Sequence, residues 1–236
     1  MPKKNISVLF IGNSFSYYHC LPKLIARFAK DARSAKVTVD GVFRGGATLK
    51  MLWEEKNTLK KIKSRRWDYI VIQERGRLGG VIKDGIVHVG NPKEFFKYVA
   101  KFHAIAKENQ SKIILYCPPS FVGPKLFNDV KKLDAAYIKA GRAIHAPVIH
   151  SGIAFMTALK KQPGMKLVER DGHHPNPLGT YLIAALFYRK LISREKFKIP
   201  VVSYRSRSAK MPKNPKLMGL PPRDVQFLWS IANRAK

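Results

Sequence analysis

Four short segments carry side chains able to do chemistry. Gly12-Asn13-Ser14-Phe15-Ser16 sets a serine just after an apolar run, at a turn into a helix. There the Ser14 hydroxyl stands at the top of a sheet, and its backbone N–H belongs to a helix N-terminus, where negative charge is favoured. A serine at such a turn also serves as a plain N-cap, so the segment alone leaves both readings open. Gly45-Gly46-Ala47-Thr48 offers a backbone N–H that no side chain obstructs, or simply makes a turn. Gln73-Glu74 offers an amide able to donate toward a developing oxyanion, or a contact within its loop. Asp171-Gly172-His173-His174-Pro175 places a carboxylate three residues before an imidazole, near enough for one to orient the other. A His-His pair is also a metal-ligand type, but no second carboxylate or histidine at helical spacing accompanies it. The sequence assigns no metal and no cofactor.

These residue types suit acyl transfer. A serine near its free pKa is a poor nucleophile and needs an adjacent base. The base in turn needs an orienting carboxylate, and the tetrahedral oxyanion needs donors. Other reactive types read as structural. His173 reads as a loop residue, His19 as capping or lining a helix, and Cys20 and Cys117 as small core residues.

The elements that must position these groups alternate strand and helix. Ile6–Ile11 is a continuous apolar run, as in a strand buried on both faces. Lys36–Asp40, Asp68–Gln73, Lys112–Cys117 and Pro147–His150 read as four further strands. Between them, apolar residues recur at helical spacing. They do so at Leu21, Leu24, Ile25 and Phe28, at Leu49, Leu52, Trp53 and Leu59, and over Pro92–Asn109, Pro124–His145 and Pro177–Ile192. This rhythm predicts an α/β fold, a parallel sheet with helices on both faces. Reactive groups then belong at the carboxyl ends of the strands, where all four segments lie. The expected domain spans residues 1–192, followed by a basic extension, 193–236. That extension holds five prolines between Phe197 and Pro222, then a helix around Val225, Leu228, Trp229 and Ile231 expected to pack back on the domain.

The chain has 236 residues, 45 Lys and Arg against 15 Asp and Glu, and a net charge of +30. A hydrophobic content of 45% excludes general disorder, and no apolar run is long enough to span a bilayer. Two cysteines are too few for a disulfide scaffold. Residues Met1–Asn5 are basic, but the following apolar run is too short for a secretory signal. The sequence as written therefore reads as cytoplasmic, and as exported only if a leader preceded it. The charge suggests a partner bearing acid groups. Its densest run is Lys56–Arg66, with six basic residues and no acid, which a solvated helix end would also explain. No zinc-finger spacing, aromatic RNA-binding signature or helix-turn-helix is present, so nucleic acid is not the expected partner.

Taken in order, the chain resembles the SGNH/GDSL-type serine hydrolases from Val8 to about Leu191. The resemblance rests on Leu9–Ser16, Arg44–Leu49, Trp67–Glu74 and Asp171–Leu182. It implies a flavodoxin-like three-layer sandwich of five parallel strands in the order 2-1-3-4-5. It implies Ser14 as nucleophile, His174 as general base and Asp171 as the acid that orients it. It further implies an oxyanion hole of the Ser14 and Gly46 N–H groups with the Gln73 side chain. Gln73 is a departure: many members have asparagine there, and a bacterial subgroup has glutamine. The implied activity is hydrolysis of a small acyl ester on a polar alcohol such as a carbohydrate, with the positive surface favouring an anionic substrate. An acyltransferase on the same site is one alternative. A basic protein binding nucleic acid or an acidic polymer on a vestigial hydrolase fold is the other. The sequence specifies no oligomeric state.

Overall fold

The computed structural model describes residues 4–83, 86–119, 127–192 and 200–235. The chain runs β1 (Lys4–Gly12), α1 (Ser14–Tyr17), a single 3-10 turn (Tyr18–Cys20), α2 (Leu21–Asp31) and β2 (Ala35–Phe43). Next come α3 (Leu49–Glu54), α4 (Lys56–Lys63), β3 (Tyr69–Ile72) and a hairpin of β4 (Ile82–Lys83) and β5 (Ile86–Val87). These lead to α5 (Lys93–Glu108), β6 (Lys112–Cys117), α6 (Phe127–Ala143), β7 (Val148–His150) and α7 (Ser151–Lys161). The chain closes with α8 (Pro177–Leu191), a hairpin of β8 (Val202–Tyr204) and β9 (Leu217–Gly219), and α9 (Pro222–Arg234).

Five strands form one parallel sheet in the order β2-β1-β3-β6-β7, which is 2-1-3-4-5 when they are counted alone. Successive strand side chains point to opposite faces, and the core divides accordingly. Ile6, Val8 and Phe10 of β1, Val71 of β3 and Ile114 and Tyr116 of β6 pack on one side with α2, α7, α8 and α9. Leu9 and Ile11, Ile70 and Ile72, and Ile113 and Leu115 pack on the other with α3, α4, α5 and α6. β1 is apolar from Val8 to Ile11 because both of its faces are covered there. β2, at the edge, is half-exposed along most of its length.

Helix α8 is buried around nearly its whole circumference. The apolar stripe of α9, with Val225, Leu228, Trp229 and Ile231, joins the same core cluster and covers its outer side. Leu228 is fully buried, so a cut to alanine there would cost about 2–5 kcal/mol. The expected boundary at residue 193 and the expected helix start at Pro124 lie outside the described residues. Among the described residues, no helix is long and apolar enough to cross a membrane.

Three departures have local causes. The single helix expected after Gly45-Gly46 is two, because Glu55 is extended, with ψ of 116°, and breaks it. Helix α7 was not predicted, and it starts at Ser151 without a side-chain cap. The proline-rich stretch after Pro200, which reads as extended or loop-like in sequence, pairs part of its length as the β8–β9 ribbon.

Candidate functional site

Ser14 follows β1 as the first residue of α1, and Asn13 supplies the cap: its Oδ1 accepts from the Phe15 N–H at 3.2 Å. The N-cap reading of Ser14 is thereby corrected, and the Ser14 hydroxyl is left for another partner. Its Oγ lies 2.7 Å from His174 Nε2. His174 Nδ1 lies 2.8 Å from Asp171 Oδ2. The Asp-x-x-His spacing is realised by a turn that the carboxylate itself closes. Asp171 Oδ1 accepts from the His173 N–H at 2.8 Å and the His174 N–H at 2.9 Å. Burial pushes the Asp171 carboxyl up, but the hydrogen bonds from His174 and these two N–H groups outweigh it and hold the pKa below the usual value. With an ionised Asp171 taking the Nδ1 proton, Nε2 is free to accept the Ser14 proton.

Aromatic rings hold the imidazole from the side. Tyr18 stacks on His174 with centroids 4.3 Å apart and planes 21° apart. Phe15 meets His173 edge-on at 4.8 Å. Burial, then the neighbouring His174, lowers the His173 pKa to about 4, so this ring is neutral at neutral pH. The chain can turn so sharply after α1 because His19 and Cys20 adopt left-handed φ of 49° and 55°, a strained state for such residues. His19 is buried with its Nε2 2.9 Å from Glu169 Oε1, and its N–H donates to the Ser206 carbonyl at 2.6 Å. Arg207 pairs with Glu169 at 2.7 Å, and the Glu169 N–H donates to the His174 carbonyl at 2.8 Å. The C-terminal stretch thus braces the loop that carries Asp171 and His174.

The Gly46 loop lies beside Ser14. Gly46 has φ of +65°, a conformation that suits glycine, and Asn13 Nδ2 donates to the next carbonyl, Ala47, at 3.0 Å. Arg75 Nε donates to the Gly46 carbonyl at 2.8 Å and its Nη2 to the same oxygen. Among the described residues, the N–H groups of Ser14 and Gly46 meet no protein acceptor. Both residues line a cleft of about 450 Å³ together with Phe15, Arg75, Arg77, His173 and His174.

Gln73 is placed differently from the expected oxyanion donor. It is fully buried beneath the turn and does not line the cleft. Its Oε1 accepts from the Asn13 N–H at 3.0 Å and the Ser16 hydroxyl at 2.8 Å, and its Nε2 donates to the Glu74 carbonyl at 2.5 Å. A Cβ at Gly12 would sit 2.4 Å from Ser16 Oγ and 2.7 Å from Gln73 Oε1, so glycine is what lets these groups close. Gln73 supports the serine turn from below. The sequence did not single out Tyr18, Arg75 or Arg77; the last two follow a strand end in the sheet's reactive edge, a signal of position only. Among the described residues, no group of three or more His, Cys, Asp or Glu side chains is placed to hold a metal ion.

No family model and no curated protein matches the sequence. Solved structures do match the architecture. A variant of an acetyl xylan esterase from Geobacillus stearothermophilus aligns with a TM-score of 0.61 at 16% identity, over 80% of this chain and 95% of that chain. The acetyl xylan esterase AlAXEase aligns with a TM-score of 0.63 at 17% identity, over 79% of this chain and 100% of that one. The chain shares their fold. An alpha/beta hydrolase from the metagenome of Lake Arreo, Spain, aligns with a TM-score of 0.60 at 16% identity, over 79% of this chain and 95% of that chain. Further structures of the Geobacillus stearothermophilus enzyme are catalytic mutants in which a serine, an aspartate or a histidine becomes alanine, the last two positions lying three apart.

Proposed function

We propose that this chain is an SGNH-type serine ester hydrolase that removes a small acyl group from a polar alcohol, most concretely an acetyl group from a carbohydrate. The observation that carries the reading is the unbroken hydrogen-bond path from Ser14 through His174 to Asp171, opening on a cleft of small-ligand size. Two of the fold neighbours are acetyl xylan esterases, which supports the acetyl and carbohydrate parts of the reading.

In this reading His174 Nε2 takes the Ser14 proton as Oγ attacks the ester carbonyl carbon. The N–H groups of Ser14 and Gly46 receive the oxyanion, each such donor contributing about 10²–10³ in rate. Arg75, by gripping the Gly46 carbonyl, holds that donor loop in place. His174 then returns the proton to the departing alcohol oxygen, leaving an acyl-Ser14. Water, activated by the same imidazole, releases the acid, and Asp171 stabilises the imidazolium in both steps.

The test is hydrolysis of p-nitrophenyl acetate and of acetylated xylo-oligosaccharides, with fluorophosphonate labelling of the intact protein. The wild type should turn over these esters and be labelled at Ser14, and Ser14→Ala should lose both. Wild-type rates equal to the uncatalysed background on every ester, with no label on Ser14, would overturn the reading.

A further inference from the structure

Two arginines line the cleft, and their situations differ. Arg75 is spent: its Nε and Nη2 both donate to the Gly46 carbonyl. Arg77 is only partly exposed, yet among the described residues its guanidinium meets no carboxylate or carbonyl. Its backbone is held firmly. The Arg77 carbonyl accepts from the Gly80 N–H at 2.8 Å and from the Gly90 N–H at 2.9 Å, and its own N–H donates to the Arg75 carbonyl at 2.8 Å. The one acid on the cleft wall, Asp171, is committed to His174 and the N–H groups of its own turn. Among the described residues, the cleft therefore holds an unpaired cation on the same wall as Ser14, and no free acid to neutralise it.

We infer that Arg77 is a specificity-determining residue, binding an oxyanionic group, carboxylate or phosphate, carried by the substrate beside the scissile ester. The inference rests on the ester-hydrolase reading of the Ser14 site. A guanidinium presents its N–H groups in a planar fork that matches a carboxylate or phosphate in two parallel hydrogen bonds. A neutral sugar hydroxyl offers a single oxygen to that fork and brings no charge. The general positive surface favours the approach of an anion, while His173, uncharged at neutral pH, leaves Arg77 to supply the local charge. The substrate class is then an acylated acidic sugar or a sugar phosphate ester, with neutral acylated sugars as poorer substrates.

Three acetyl esters differing at one carbon test this: acetylated methyl glucoside, the matching methyl glucuronoside and the matching sugar phosphate. The wild type should favour at least one anionic ester over the neutral one by about tenfold in kcat/KM, the size of effect expected of one charge-assisted pair at a partly exposed site. In Arg77→Gln that ratio should fall to about twofold or less, whereas Lys36→Gln, an exposed cation opposite Asn5 near the amino end of the sheet, should keep it. The carboxylate and phosphate arms identify which anion the site takes. A wild-type ratio near one, or an undiminished ratio in Arg77→Gln, overturns the inference. Should no ester be turned over, calorimetric titration with methyl glucuronoside, the free sugar phosphate and methyl glucoside decides separately. Anion binding lost in Arg77→Gln upholds the anion site while the hydrolase reading fails, and equal binding of all three overturns the anion site as well.

Discussion

Replacing Asp171 by asparagine would keep the turn and invert the proton traffic. Asparagine Oδ1 can still accept the His173 and His174 N–H groups that close the turn. Its amide NH₂ would face His174 Nδ1, however, and would force the ring proton onto Nε2, where it blocks acceptance from Ser14. Asp171→Asn should therefore lower kcat by about 10³–10⁴ while leaving the fold intact, the pattern expected when only the tautomer is wrong. Ester turnover and thermal unfolding measured together check it; a kcat within about tenfold of the wild type would mean that another group orients His174. The contrast with Gln73 is instructive at this scale. The sequence marked both residues as polar groups at strand-end loops, and the structure sends one to the cleft and the other beneath the turn. Residue type and order were legible, because Ser14, Asp171 and His174 sit at turns that local contacts close. The direction of Gln73 was not, because it depends on Ser16 and on the missing Cβ of Gly12, contacts that form only after β1 and β3 pair.

Elements show the same division. The inner strands were legible as apolar runs because a strand covered on both faces must be apolar. The α3–α4 break was not, since nothing in Leu49–Lys63 but an extended Glu55 separates two good helical stretches. The junction of β3 with α3 is where a buried carboxyl ties two elements together. Glu74 Oε2 accepts from the Leu49 N–H at 2.8 Å, Oε1 accepts from the Arg75 N–H at 2.6 Å, and the Glu74 N–H donates to Tyr137 Oη at 3.0 Å. Burial, only partly offset by these N–H bonds, pushes the Glu74 pKa up to about 7 from an ordinary 4.5. Below pH 4.5 both folded and unfolded chains hold this proton. Between 4.5 and 7 the unfolded chain has lost it and the folded chain keeps it, so stability falls as pH rises through this window and levels off above it. A shift of this size is worth about 3 kcal/mol. Urea unfolding of wild type and Glu74→Gln from pH 4.5 to 8 isolates that contribution, because all other titrating groups are common to both. The stability difference between the two proteins should change by about 3 kcal/mol across the window, with the variant gaining relative to the wild type as pH rises. A difference that does not move with pH would show that Glu74 is ionised in the folded chain throughout.

Across the whole molecule, the +30 charge includes cations inside the cleft and a dense run outside it, with different consequences. The reactive turns stand at the carboxyl ends of the strands, around Ser14, Gly46 and the loop after β3. The basic run Lys56–Arg66 occupies α4 and the turn into β3; it lies along Asp40–Phe43 in the carboxyl half of edge strand β2, and none of it lines the cleft. Part of the run is engaged: Lys61 pairs with Asp40 at 2.5 Å, and the Arg65 guanidinium lies 3.9 Å over the Trp67 ring. Lys56, Lys60, Lys63 and Arg66 are exposed. At physiological salt, charges separated by more than about 8 Å are largely screened. The run, exposed and outside the cleft, would hold the molecule on an acidic polymer, and the choice among substrates would be left to Arg77 in the cleft. Two measurements should separate accordingly. A triple variant, Lys60→Gln, Lys63→Gln and Arg66→Gln, should elute from heparin at lower salt than the wild type, since each cation lost removes part of the counterion-release contribution. Its preference between acetylated glucuronoside and acetylated glucoside should stay within about twofold of the wild type, because these charges are exposed, lie outside the cleft and are screened by salt. Arg77→Gln should show the reverse, with heparin elution nearly unchanged and the preference lost. Both effects moving together in the triple variant would mean that the substrate is steered by the charge of the whole surface, and the cleft would then have no selectivity of its own.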